Sequence, residues 1–162
     1  MPITFDQVLT GLKSLSDRNT TIRQTVAQIS IVNAVFQGPK LAQELQVYCQ
    51  QMSVDLLQPL SDEKGTVTDA TKADAIVAEV KNFVTVAKAR NDVIIGKHGI
   101  LSLFFFQFPV AAGLRAMEAS GDCLLNQLIN YVPSKAEDIK KLAAEWTAST
   151  EAAVKVYNPS PL

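Results

Sequence analysis

The 162-residue chain has little to catalyse with: one histidine, two cysteines and one tryptophan. His98 lies in Gly96-Lys97-His98-Gly99, a turn by composition, and is expected to be a solvated turn residue, not a base or a ligand. Cys49 and Cys123 form no Cys-x-x-Cys pair, and with a single His they fall short of a zinc site. Either they sit buried and free, or they pair across two neighbouring helices; spacing leaves both open. There is no His-Glu-x-x-His, phosphate-binding loop, Gly-x-Ser-x-Gly or dinucleotide fingerprint. An excess of one charge is also missing. Fifteen basic residues against sixteen acidic ones give a net charge of −1 with no basic patch, so nucleic acid is not expected as a partner. No run reaches the roughly 20 apolar residues of a transmembrane helix. The chain opens on Met1-Pro2 with no legible secretory signal; a leader cut away before this point fits that start, so the absence does not argue for the cytoplasm.

What the chain does have is apolar surface. Hydrophobic residues make up 48% and charged residues 19%, enough for one domain over 1–162 with a sizeable core. Nothing alternates with period two for long, so the class expected is all-α. A first helix is predicted from about Phe5 to Ile29, its stripe Val8, Leu12, Leu15, Ile22, Val26 and Ile29, opened by a Thr4/Gln7 capping box. After a turn over Ser30 to Gly38, a second helix starts near Pro39, carries Leu41, Leu45, Tyr48, Met52 and Leu56, and stops at Pro59. Thr68 or Asp69 caps a third, with Ile76, Val80, Phe83, Val84, Ala87 and Val93 or Ile94, ending before Gly96. A short helical piece from Ile100 to Gln107 bends at Phe108 into a fourth helix, Pro109 to Val132, because Pro109 disfavours helical geometry in the residue before it. Ser134 and Glu137 read as a second capping box opening a fifth helix with the stripe Ile139, Leu142, Trp146, Ser149, Ala153 and Val156; the Asn158-Pro-Ser-Pro tail begins a linker. Short loops and long helices point to a five-helix up-and-down bundle.

Two irregularities bear on function. From Gly99 to Leu114 the chain runs sixteen residues without a charge and holds four of its seven phenylalanines. That run either packs into the core, walls a cavity for an apolar molecule, or lies exposed as an interface. The helical seams also carry small or neutral polar residues, Asn19, Gly121, Ser149 and Ala153, where bulk is expected, while charges almost avoid them. Small seam residues allow either close helix approach or a hollow along the bundle axis. Such a hollow would be lined by Phe83, Phe104, Leu114, Met117, Leu128, Trp146 and Ala153, with Ser149, Gln107, Asn130 and Tyr131 as neutral donors for a head group. At about 0.8 kcal/mol per buried CH₂, a sixteen-carbon tail supplies on the order of 10 kcal/mol before ordering costs. No metal or cofactor is implied, and no catalytic residue can be nominated. Asn19-Thr20-Thr21 is also a glycosylation sequon, in conflict with an inward Asn19.

Three stretches, VLTGLKSLSDRNTTIRQTVAQI, GPKLAQELQVYCQQM and LLNQLINYVPSKAEDIKKLAAEWTASTEAAVKVY, resemble the fungal hydrophobic-surface-binding protein A family, also called cell wall galactomannoproteins. The resemblance implies a five-helix domain that encloses long-chain fatty acids, arachidonic acid among them, without catalysis. It also implies secretion or attachment to the cell wall and removal of host signalling lipids, a virulence role, and a monomer is expected. The alternative reading is a protein that adsorbs to surfaces or binds a partner through exposed phenylalanines between Phe104 and Phe108.

Overall fold

At the start of the first helix the Thr4 hydroxyl accepts the Gln7 N–H (3.2 Å) and the Gln7 side chain accepts the Thr4 N–H (2.8 Å), the predicted reciprocal cap. The structure, a computed structural model, describes residues 3–158, so Met1, Pro2 and the Pro159–Pro161 part of the expected linker lie outside the described residues. The helices are α1 (Phe5–Ala27), α2 (Ala34–Met52), α3 (Gln58–Asp62), α4 (Ala70–Gly96), α5 (His98–Leu103), α6 (Gln107–Tyr131) and α7 (Ala136–Tyr157), with no strand among the described residues. The predicted all-α class holds. A π-turn over Ser53–Leu57 fuses α2 to α3, so the long elements form five rods whose directions alternate along the chain.

In space the five rods close a ring in the order α1, α2, α6, α7, α4. Pairings fix the directions. Asn19 meets Tyr48 and Ser14 meets Gln51, so α1 and α2 are antiparallel. Asn19 also meets Arg90 while Phe5 lies under Lys72, so α1 runs parallel to α4. The end where α1 finishes is called the upper end below. It also holds the start of α2, the end of α4, α5, the start of α6 and the end of α7, tied by Lys97 Nζ on the Ile29 carbonyl (2.7 Å) and the Tyr157 hydroxyl on the Ile94 carbonyl.

Several boundaries depart from the sequence expectations. The second helix begins at Ala34, not near Pro39, because Gly38 rests on the Phe106 ring and draws the extra turn onto the bundle. Pro39 is exposed and sits inside the first two turns of α2. Pro59 does not end the helix: the π-turn widens the backbone just before it, where a proline ring would otherwise meet a carbonyl one turn back. The bend in the phenylalanine run falls at Phe104–Phe106, where Phe105 adopts φ +61°, and Pro109 sits in the first turn of α6, where its absent N–H costs nothing. Ser134 caps nothing. Residues Pro133–Lys135 form a 3₁₀ turn, and Glu137 pairs with Lys140 at 2.7 Å. Asp69 is the cap of α4, accepting the Lys72 N–H at 2.8 Å.

Candidate ligand site at the bundle centre

Continuing the α4 stripe Ile76, Val80, Phe83, Val84 and Ala87 by three and four residues reaches Arg90 and Asn91, and the structure buries both. Arg90 is 0% exposed and is the one charged residue among the fully buried described residues. Its Nε and Nη2 donate to Asn91 Oδ1 (3.1 and 2.8 Å), and Nη1 donates to Asn19 Oδ1. The guanidinium carbon lies 5.5 Å from the Tyr48 ring centre and 5.7 Å from that of Trp146. Asn19 Nδ2 donates to the Tyr48 hydroxyl (3.0 Å), and Asn91 Nδ2 donates to Ser149 Oγ (3.1 Å). Four helices therefore meet on one cation: α1 through Asn19, α2 through Tyr48, α4 through Arg90 and Asn91, and α7 through Trp146 and Ser149. Desolvation pulls the Arg90 pKa down from its ordinary value, opposed by Tyr48 and Cys49; desolvation pushes the Tyr48 phenol up to about 12, opposed by Arg90.

Trp146 supplies the bulk beside this cluster. It stacks on Phe83 (ring centres 5.0 Å apart, 15° between planes) and presses against Gly121 of α6, where a Cβ would overlap the indole. Its Nε1 is buried without a hydrogen-bond partner. The small seam residues are thus used for close approach and for polar contacts. Gly121 admits the indole, Ser149 accepts from Asn91, and Ala153 is buried. Where a hollow lined by methyl groups and aromatic rings was expected on the axis, the centre holds two of the expected lining residues, Phe83 and Trp146, together with Arg90, Tyr48 and Asn19. Two clefts lie at the rim. One of about 550 Å³ runs between α1 and the π-turn, past Thr4, Gln7, Ser14 and Asp55; one of about 200 Å³ sits at the lower end by Leu60, Gly65, Asn130 and Tyr131.

The expected head-group donors do not converge. Ser149 belongs to the central cluster. Gln107 opens α6 at the upper end, its Oε1 buried without a partner, while Asn130 and Tyr131 close α6 at the lower end, Asn130 on the surface. Gln107 and Tyr131 are 24 positions apart on one helix, about 36 Å, so no single head group reaches both. Phe83, Leu114, Met117, Leu128, Trp146 and Ala153 are all buried; Phe104 is half-buried.

Other expectations resolve locally. Asn19 is fully buried, which settles its conflict with the sequon in favour of the seam. Cys49 is half-buried, Cys123 is exposed, and both are free. His98 is not a solvated turn residue: it begins α5, packs edge-on against Tyr157 and lies 3.0 Å from Ser102 Oγ. The phenylalanine run is neither wholly core nor wholly surface. Phe106 packs inward under Gly38, whereas Phe105 and Phe108 are 78% and 66% exposed. Ile31, Val32, Val35, Phe36 and Leu103 are exposed at the same end, giving an apolar crown that sequence patterning did not separate from the core.

Five rods closed in a ring on a buried polar centre define a five-helix bundle. The chain superimposes on ligand binding domain 1 of the Penicillium marneffei MP1 protein complexed with arachidonic acids, with a TM-score of 0.83 and 17% identity over 92% of this chain and 95% of that one. AFMP4P in complex with palmitic acid gives a TM-score of 0.87 at 13% identity, covering 96% of this chain and all of that one. Domain 2 of the MP1 protein, in complex with arachidonic acids, gives 0.83 at 14% identity over 100% and 99% of the two chains. No family model and no curated protein matches the sequence, so the likeness is one of fold.

Proposed function

We propose that this protein binds and sequesters long-chain fatty acids, arachidonic acid among them, inside the helical bundle and without catalysis. The observation that carries the reading is the near end-to-end match to three domains whose structures hold arachidonic or palmitic acid. An interior that gathers Phe83, Leu114, Met117, Leu128, Trp146 and Ala153 supports it: these side chains would repack around an alkyl tail, with Phe104 toward the upper end. Ser149 is the neutral head-group donor best placed for a central ligand; Gln107, Asn130 and Tyr131 would serve ligands that reach either end. Secretion or cell-wall attachment, scavenging of host lipids and a monomeric state belong to the same proposal. Delipidated protein titrated with palmitate and arachidonate should bind both, and native mass spectrometry of protein as purified should show a fatty-acid adduct. Absence of binding by either method would remove the reading.

The apolar crown favours a second reading, adsorption to an apolar surface or partner. Replacing Phe36, Phe105 and Phe108 together with serine should abolish adsorption to octyl-coated beads while fatty-acid affinity stays the same. Sedimentation decides whether the crown instead joins copies of the chain.

A further inference from the structure

We propose that Arg90 is the counter-ion for the carboxylate of a bound fatty acid, with Trp146 Nε1 as a further donor, so that the bundle selects ionised fatty acids over neutral lipids of equal length. The inference rests on the fatty-acid reading and narrows it to one ligand class. A guanidinium carries five N–H donors. Three are used, on the amide oxygens of Asn19 and Asn91, and the Tyr48 phenol takes up a fourth, which leaves the fork one donor to spare. Trp146 Nε1, on the ring that Arg90 faces, is a second unpaired donor. Among the described residues no carboxylate approaches Arg90; the ion pairs are those of Lys88, Lys135 and Lys140 on the surface.

A cation buried among amides and rings pays a large desolvation cost that neutral acceptors offset only in part. Unpaired donors around an uncompensated positive charge call for an anionic acceptor, and the two oxygens of a carboxylate match the guanidinium fork. No described residue supplies such a group, and a bound ligand would. A fatty acid is the lipid that brings one carboxylate on an apolar tail. Room comes from repacking: Met52 and Met117 lie one turn from Tyr48 and Gly121, and unbranched thioether side chains rearrange at low cost.

The test compares palmitate, 1-hexadecanol and methyl palmitate on delipidated full-length protein by calorimetric titration. Wild type should bind palmitate at least about tenfold more tightly than either neutral lipid. Arg90→Gln should lose that preference while keeping its affinity for hexadecanol. Asn19→Asp, which places an internal carboxylate where Arg90 already donates, should also lose it, by competition, and should fold even if Arg90→Gln does not. In wild type with ¹⁵N-labelled arginine, palmitate should shift a solvent-protected Nε–H resonance that methyl palmitate leaves in place. Wild type binding all three lipids equally, or either variant keeping the preference, or no arginine resonance responding to palmitate, overturns the Arg90 assignment and leaves fatty-acid binding standing. Wild type binding none of them overturns the fatty-acid reading itself.

Discussion

Adding one methyl group at Gly121 probes the contact that fills the bundle centre. The Cβ of Gly121→Ala would overlap Cζ2, Cε2 and Nε1 of Trp146. The indole has little freedom to retreat: it is 1% exposed, stacked on Phe83, with the Arg90 guanidinium carbon 5.7 Å from its ring centre. Overpacking of this kind costs about 3 kcal/mol where the blocked group is a rigid ring. Alanine returns about 1 kcal/mol of helix propensity, which leaves a net loss of about 2 kcal/mol. At about 2–4 °C per kcal/mol for a chain of this size, Tm should fall by about 4–8 °C. Gly96→Ala is the control. Gly96 ends α4 with nothing near the position a Cβ would take, so the same substitution should raise Tm by up to about 4 °C. Thermal unfolding followed by far-UV circular dichroism measures both, and near-UV ellipticity of the single tryptophan reports the local disturbance. If Gly121→Ala is as stable as wild type or moves with Gly96→Ala, the indole does not occupy the place assigned to it, and close approach of α6 to α7 is not what that glycine provides.

Three further outcomes follow from the same geometry. Asn19→Leu removes the acceptor of Arg90 Nη1 and the donor to Tyr48, stranding a buried cation; urea unfolding should show a loss of about 3–5 kcal/mol, and a loss under 1 kcal/mol would contradict the network. The Tyr48 phenol is raised from 10.0 to about 12 in the folded state. Its contribution is therefore fully present below pH 10 and is lost as pH rises toward 12, on the order of 2–3 kcal/mol. Tyr48→Phe should flatten that alkaline decline in denaturant midpoints. Phe105→Gly relieves a left-handed backbone at an exposed position and should raise stability by about 1 kcal/mol in urea unfolding; a decrease would mean that the exposed ring makes contacts worth more than the strain.

Much of the bundle was legible because helix stripes and end signals are local. Thr4 with Gln7, Asp69, and the runs Val8 to Val26 and Ile76 to Ile94 read correctly for that reason. Arg90 was legible too, in principle. The stripe that passes through Ala87 predicts an inward residue at 90 or 91, and a charged residue on an apolar seam signals a buried polar centre. Ser134 failed as a cap because Pro133 allows a 3₁₀ turn that uses the same backbone groups differently. Thr150 and Tyr157, buried beside the expected α7 stripe, show a helix that contacts α4 and α6 at once, and one-dimensional periodicity does not resolve two contact faces.

The sequence alone determined the helices, their number of long rods and the apolar character of the interior, since each depends on residues three or four apart. It did not determine the order of the rods around the ring, the split of the phenylalanine run between core and surface, or the meeting of Asn19 with Arg90 across 71 positions of chain. Those depend on which faces of distant helices bury the most surface together, a competition settled only when all five rods pack at once. The isolation of Arg90 from every carboxylate among the described residues belongs to that second group, because it is a property of the packed molecule.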